Sequence, residues 1–172
     1  MLFIGLYYGF ARYLPPTHKN IVGKFGGLLR LYCARHLFKS CAPDANIEHM
    51  AYFGTGCAIE IESRSGIGIH CTVPNNIKIG DNVMMSPHCR FMHNVTHRFD
   101  SVDTPMIEQG LITIAKPIII GDDVWFGREC FMLGGKQIGS HTVIGARSVI
   151  SKDIPEYVVA AGNPIRVIRS RK

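Results

Sequence analysis

The sequence predicts an all-β solenoid, a parallel β-helix, preceded by a short helical segment. Three observations carry this. A large apolar residue recurs every six positions at Ile120, Phe126, Met132, Ile138, Ile144 and Ile150, and upstream at Ile67, Val73, Ile79, Met85 and Phe91. Glycine follows the large residue at Gly54, Gly68, Gly80, Gly121, Gly127, Gly139 and Gly145. The fourth position after it is mostly small, as at Cys71, Val83, Cys89, Val124, Cys130, Thr142 and Ser148. Periods of 2 and 3.6 do not produce this pattern, whereas hexads that each form a short strand and a corner do. Three hexads then close one triangular coil, with the large residue filling its interior and the glycine allowing a tight corner or an unusual backbone angle.

Taken in order, residues 1–44 read as a helical cap. The opening "MLFIGLYYGFARYLP" is apolar but too short to span a bilayer. It lacks a basic leader and a small-residue cleavage site, so no signal peptide is expected. It reads as a docked helix, with membrane-surface association not favoured. A second helix is expected from the spacing of Ile21, Phe25, Leu28, Leu29, Tyr32 and Leu37. Such a unit covers the open end of a solenoid, which solenoids require. Together these features predict a cytoplasmic protein, working near the inner membrane face.

Residues 45–172 form the predicted solenoid domain. Ile47, Phe53 and Ile59 make an early set, two residues out of phase with the rest. Cys57, Cys71, Cys89 and Cys130 all fall in the small slot, where a free thiol packs as a small hydrophobe. Lys136 falls there too, so that corner is expected to be distorted or its amine to escape to solvent. The phase breaks between Phe91 and Ile120, and the extended loop is drawn at about 93–117. A long insert in a regular solenoid is usually functional. His93 and His97 stand at its base. A tail, 155–172, ends in the basic run "RVIRSRK".

Lys and Arg outnumber Asp and Glu by 19 to 13, which suits an anionic ligand. Most of these charges are scattered, so nucleic acid is not implied. No C-x-x-C pair occurs among the six cysteines, which argues against a zinc knuckle or a thioredoxin-like site.

The ordered motifs "SGIGIHC" (65–71), "IGDNVMMSP" (79–87), "THRFD" (96–100), "PMIEQG" (105–110), "IGDDVWFG" (120–127), "IGARSVISKDIP" (144–155) and "AAGNPIRVIRSR" (161–171) resemble those of the left-handed β-helix O-acetyltransferases. That family includes galactoside and maltose acetyltransferases and enzymes that acetylate surface polysaccharides. The resemblance covers about residues 45–172. It implies a homotrimer that takes acetyl-CoA in a cleft between subunits and acetylates a hydroxyl of a sugar or glycan acceptor. It implies His97 as general base, since "THRF" stands where the family has "NHxF". It also implies acetyl-CoA contacts at Arg128, Ala146, Ser151, Lys152, Arg166 and Arg169, and an acceptor contact at His70, which replaces a family Asn.

The residue types fit that chemistry. A sugar hydroxyl attacks a thioester only as its proton is removed, and histidine titrates in the range the task needs. Asp100 is a candidate to orient the His97 ring, with a loop-capping role as its alternative. Basic side chains suit the phosphates of CoA. Two other functions compete. His70, His88, His93 and His97 offer ligands for a γ-class carbonic anhydrase-like zinc enzyme. A non-catalytic scaffold would keep the solenoid for assembly alone.

Overall fold

A computed structural model describes residues 1–92, 95–113 and 116–172. Helix α1 (Leu2–Gly9), a 3-10 turn (Ala11–Tyr13) and helix α2 (Ile21–Leu37) precede the coil. The first coil strand is Ser40–Cys41, which pairs with Glu60–Ile61. The helical unit therefore ends a few residues earlier than the spacing suggested. Cys41 rather than an aliphatic residue fills the large slot of that first hexad, which hid it.

The coil has three faces of parallel strands. The first stacks Ser40–Cys41, Glu60–Ile61, Ile77–Ile79, Ile118–Ile120 and Gln137–Ile138. The second runs from Asn46–Ile47 through Gly66–Ile67, Met84–Met85, Trp125–Phe126 and Val143–Ile144 to Val158–Ala161. It closes with an antiparallel strand, Arg166–Ser170. The third is Tyr52, Thr72, Arg90–Phe91, Phe131–Met132 and Val149–Ile150. Ile47, Ile67, Phe126, Ile144 and Ile150 are fully buried inside, as their period predicts.

Three details correct the sequence reading. Ile61, not Ile59, pairs in the large-residue ladder, because two extra residues lengthen the corner after Phe53. That insertion turns Cys57 outward, so it is exposed and not core filler. Most glycines after the large residue also have no unusual φ. The left-handed backbone occurs two residues later, at His70, Asn82, His88, Asp123, Glu129, His141 and Arg147, with φ between 51° and 66°. What the glycines supply is room. A Cβ on Gly127 would stand 2.5 Å from Ala146 N, and one on Gly145 would stand 2.7 Å from Ala161 Cβ. The Lys136 corner is distorted as expected: Gly135, at φ +69°, is buried in place of the lysine, which is half-exposed.

α1 docks as predicted. Tyr7 is fully buried, donates its hydroxyl to Ala51 O at 3.0 Å and packs 4.4 Å from the Phe53 ring. α2 is capped by Asn20, whose side chain accepts from Gly23 N at 2.8 Å. Its buried side is Gly23, Gly26, Gly27, Arg30, Cys33 and Ala34, the three glycines lying against Pro16, Leu14 and Thr17. Arg30 is fully buried and donates to Ile47 O (2.7 Å), Leu14 O (3.1 Å) and Thr17 Oγ1 (3.0 Å), with Glu48 at 3.7 Å.

Candidate active site

On the second face, strand register lines up a row of small residues. Gly68 follows Ile67, Ser86 follows Met85, Gly127 follows Phe126 and Gly145 follows Ile144, each pair of strands being in register. The row continues to Ala161, which pairs with Arg166. Beside it runs a second row, Met84, Trp125, Val143, Val159 and Arg169. Two of the expected CoA contacts, Arg166 and Arg169, thus stand at the end of a channel that lacks large side chains.

A cavity of about 340 Å³ lies along this channel, lined by Ser86, Trp125, Gly127, Arg128, Val143, Ile144, Gly145 and Ala146. It includes two more expected contacts, Arg128 and Ala146. Trp125 forms its wall, half-exposed, with Nε1 donating to Ser86 Oγ at 3.3 Å. The sequence signal for Trp125 was the step preceding the large residue, which faces outward on a strand.

The floor of the channel is tied from below. Cys71 Sγ donates to Ser86 O (3.3 Å), Cys89 Sγ to Gly127 O (3.2 Å) and Cys130 Sγ to Gly145 O (3.2 Å). Ser148 Oγ continues the ladder, donating to Gly145 O at 2.6 Å. Its hydrogen bond to Cys89, then burial, pushes the Cys130 thiol far up. All three cysteines are buried and hold the backbone beneath the channel.

His97, Ser151 and Lys152 lie elsewhere. The insert leaves the third face after Phe91 and rejoins the first face at Ile118. It is built on a two-stranded antiparallel arm, Val95–His97 with Leu111–Thr113, and His97 pairs with Leu111. The His97 side chain is exposed. Gln109 ties the arm's outer loop, donating Nε2 to Ser101 O (2.9 Å) and Thr104 O (2.6 Å). Ser151 and Lys152 follow Val149–Ile150, at the same third-to-first corner. The channel opens at the second-to-third corner. One chain therefore carries the two halves of the expected site on different corners.

Asp100 does not orient His97 here. It accepts from Arg98 Nε at 3.4 Å, and its own backbone N–H, then that bond, hold the carboxyl below its ordinary range. His93 lies outside the described residues. His70 is exposed at the second-to-third corner, with its ring stacked on His88 at 5.0 Å and 9° and edge-on to His49 at 5.4 Å. Burial, then His88 and His49, lowers the His70 pKa. Among the described residues no three such side chains converge as ligands of one metal ion, and the His70 and His88 rings lie face to face. A larger cavity, about 590 Å³, sits further along the same face between His18, Asp44, Glu48, Gly66, Gly68 and Met84.

No protein-family model matches the chain. A galactoside O-acetyltransferase of Escherichia coli is 34% identical over 158 residues, covering 89% of this chain and 71% of that protein. A probable acetyltransferase of Mycobacterium tuberculosis, Rv3034c, is 36% identical over 97 residues, and the match spans only 31% of its length. Among solved structures, a galactoside acetyltransferase in complex with coenzyme A superposes with a TM-score of 0.78 at 29% identity, covering 99% of this chain and 80% of that one. A maltose O-acetyltransferase of Clostridium difficile gives 0.71 at 33% identity, covering 84% and 75%. By its left-handed β-helix and by its kinship with the galactoside enzyme, the chain belongs to the hexapeptide-repeat acetyltransferases of the galactoside and maltose O-acetyltransferase type.

Proposed function

We propose that this protein transfers acetyl from acetyl-CoA to a hydroxyl of a sugar or glycan acceptor, with His97 as general base. The observation that carries the reading is the small-residue channel ending at Arg166 and Arg169. A channel floored by small residues suits the thin pantetheine arm, and guanidinium groups at its end suit phosphates. The solved coenzyme A complex of a galactoside acetyltransferase supports the choice of co-substrate.

The split site supports a homotrimer. His97, Ser151 and Lys152 sit at one corner, and Arg128, Ala146, Arg166 and Arg169 flank the channel on another face. A neighbouring copy that sets its arm against this channel completes the site, and closed three-fold symmetry repeats the contact. The larger cavity beside Gly68 is then the acceptor site, near His70.

The chemistry needs no covalent enzyme intermediate. The acceptor hydroxyl attacks the thioester carbonyl as His97 takes its proton. A backbone N–H stabilises the tetrahedral oxyanion. Collapse breaks the C–S bond, and His97 returns the proton to the leaving CoA thiolate.

The test is His97→Ala. Turnover should fall by roughly a thousandfold or more while CoA affinity stays near wild type, as expected for loss of a general base. Retained turnover would refute the base assignment. Loss of CoA binding together with turnover would assign His97 to the cofactor instead.

A further inference from the structure

Charge is divided sharply along this chain. Residues 1–43 hold six of the 19 Lys and Arg and none of the 13 Asp and Glu. Residues 44–172 hold 13 of each, so the whole excess of +6 belongs to the helical unit. Within that unit α2 is turned inside out. Its glycines, Arg30, Cys33 and Ala34 are buried, while Ile21, Val22, Phe25, Leu28 and Tyr32 are exposed. At 100° per residue, Ile21, Phe25, Leu28 and Tyr32 fall within about 60° of one another.

The glycines explain why α2 cannot rotate to bury this apolar stripe. A Cβ on Gly26 would lie 2.8 Å from Leu14 Cβ, and one on Gly27 would lie 2.6 Å from Thr17 Oγ1. Larger side chains would not fit, and Arg30 is anchored by carbonyls on the inner side. Lys24 and Arg35 fall next to the stripe on the same wheel, and Lys19 stands just before it; all three are exposed. The α1 end adds Leu2, 77% exposed.

We propose that this face is a docking surface for an anionic lipid bilayer. An exposed apolar stripe whose only charged neighbours on its own helix are cations, with Asp44 across the adjoining groove, is the arrangement of an interfacial helix that lies in the headgroup region. A second copy of the same face is a poor occupant, because the cations would meet like charges with no carboxylate to offset them. The helix does not span: no helix among the described residues is long and apolar enough to cross a membrane. The cavity beside Gly68 shares Asp44 and Asn46 with an apolar groove of about 450 Å³ that includes Lys24, Leu28 and Leu31. Docking would thus bring the bilayer beside the coil cavity. Vesicle binding is read without substrate, so this inference does not depend on the acyl-transfer reading.

The test is flotation of the full chain with vesicles of phosphatidylcholine alone or with about one third phosphatidylglycerol. The wild type should float with the anionic vesicles and far less with the neutral ones. Phe25→Glu/Leu28→Glu should reduce binding roughly tenfold or more by removing the apolar insertion. Lys24→Glu/Arg35→Glu should reduce it by a similar factor and only on anionic vesicles. Unchanged thermal unfolding would verify that both variants fold, since all four side chains are exposed. Failure of the wild type to bind anionic vesicles overturns the proposal, as does equal binding by both variants. A shift in oligomeric mass of Phe25→Glu/Leu28→Glu without vesicle binding by the wild type would assign the face to a second copy and also overturn it.

Discussion

The coil and the helical unit place apolar residues by opposite rules. In the coil, the large residue of each hexad goes inside and a glycine or other small residue follows it at most corners. In α2, small residues and one arginine go inside and the large apolar residues face out. The contrast teaches that an apolar period reports a buried face only when the partner surface is as plain as the coil's own interior. α2 packs on the segment Leu14–Thr17 and the first coil, which leave space for little beyond glycine.

Four substitutions sharpen or break this contrast. The largest effect is expected for Phe126→Ala. Phe126 is fully buried and packs 5.3 Å from the Phe91 ring, so its loss should cost roughly 3–5 kcal/mol in denaturant unfolding. Next is Arg30→Met, expected to cost roughly 2–4 kcal/mol by the same measurement, because it leaves buried carbonyls without their donor and Glu48 without its cation. A cost near zero would mean that the α2 interior tolerates an apolar chain and that the opposition of rules is superficial.

A smaller effect concerns Glu48. Burial alone would raise its pKa, but N–H groups of Thr17 and His49 and the Asn46 amide bring it below the ordinary 4.5. A folded pKa below the unfolded one adds stability that is complete above about pH 4.5 and is lost as pH falls through the folded value. Glu48→Gln should flatten the acid limb of the unfolding midpoint against pH. An unchanged limb would remove Glu48 from the acid response. Smallest is Leu28→Ser, 68% exposed, which should change stability by less than about 0.5 kcal/mol. A cost approaching that of Phe126→Ala would show that the α2 stripe is covered within the protein itself.

The coil was legible because each hexad repeats one packing solution, so Ile120 through Ile150 announce their own burial. The corner after Phe53 was not, since two inserted residues shift phase without changing composition, and Cys57 was misjudged with it. α2 was legible as a helix but not as to which side is buried; Gly23, Gly26 and Gly27 were the signal. Asn82 and Asp123 suit left-handed corners, whereas His70, His88 and Arg147 give no such hint. For the site, the residues that the motifs named for the cofactor at Arg128, Ala146, Arg166 and Arg169 stand along one face. The motifs did not reveal that His97 would stand on another corner, because a repeat specifies a coil and not which of its corners bears an insert. Asp100 failed for a local reason: Arg98, two residues away, claims its carboxylate first.

The left-handed corners have a practical consequence for heat tolerance. Ten described non-glycine residues hold φ between 51° and 66°, a conformation that costs an ordinary side chain roughly 1–2 kcal/mol. Asparagine adopts it more readily. Met50 and Tyr157 occupy two of these corners outside both cavities of the second face. They mark a route by which a hardier catalyst could be evolved one corner at a time, with the acyl-transfer groove left as it is.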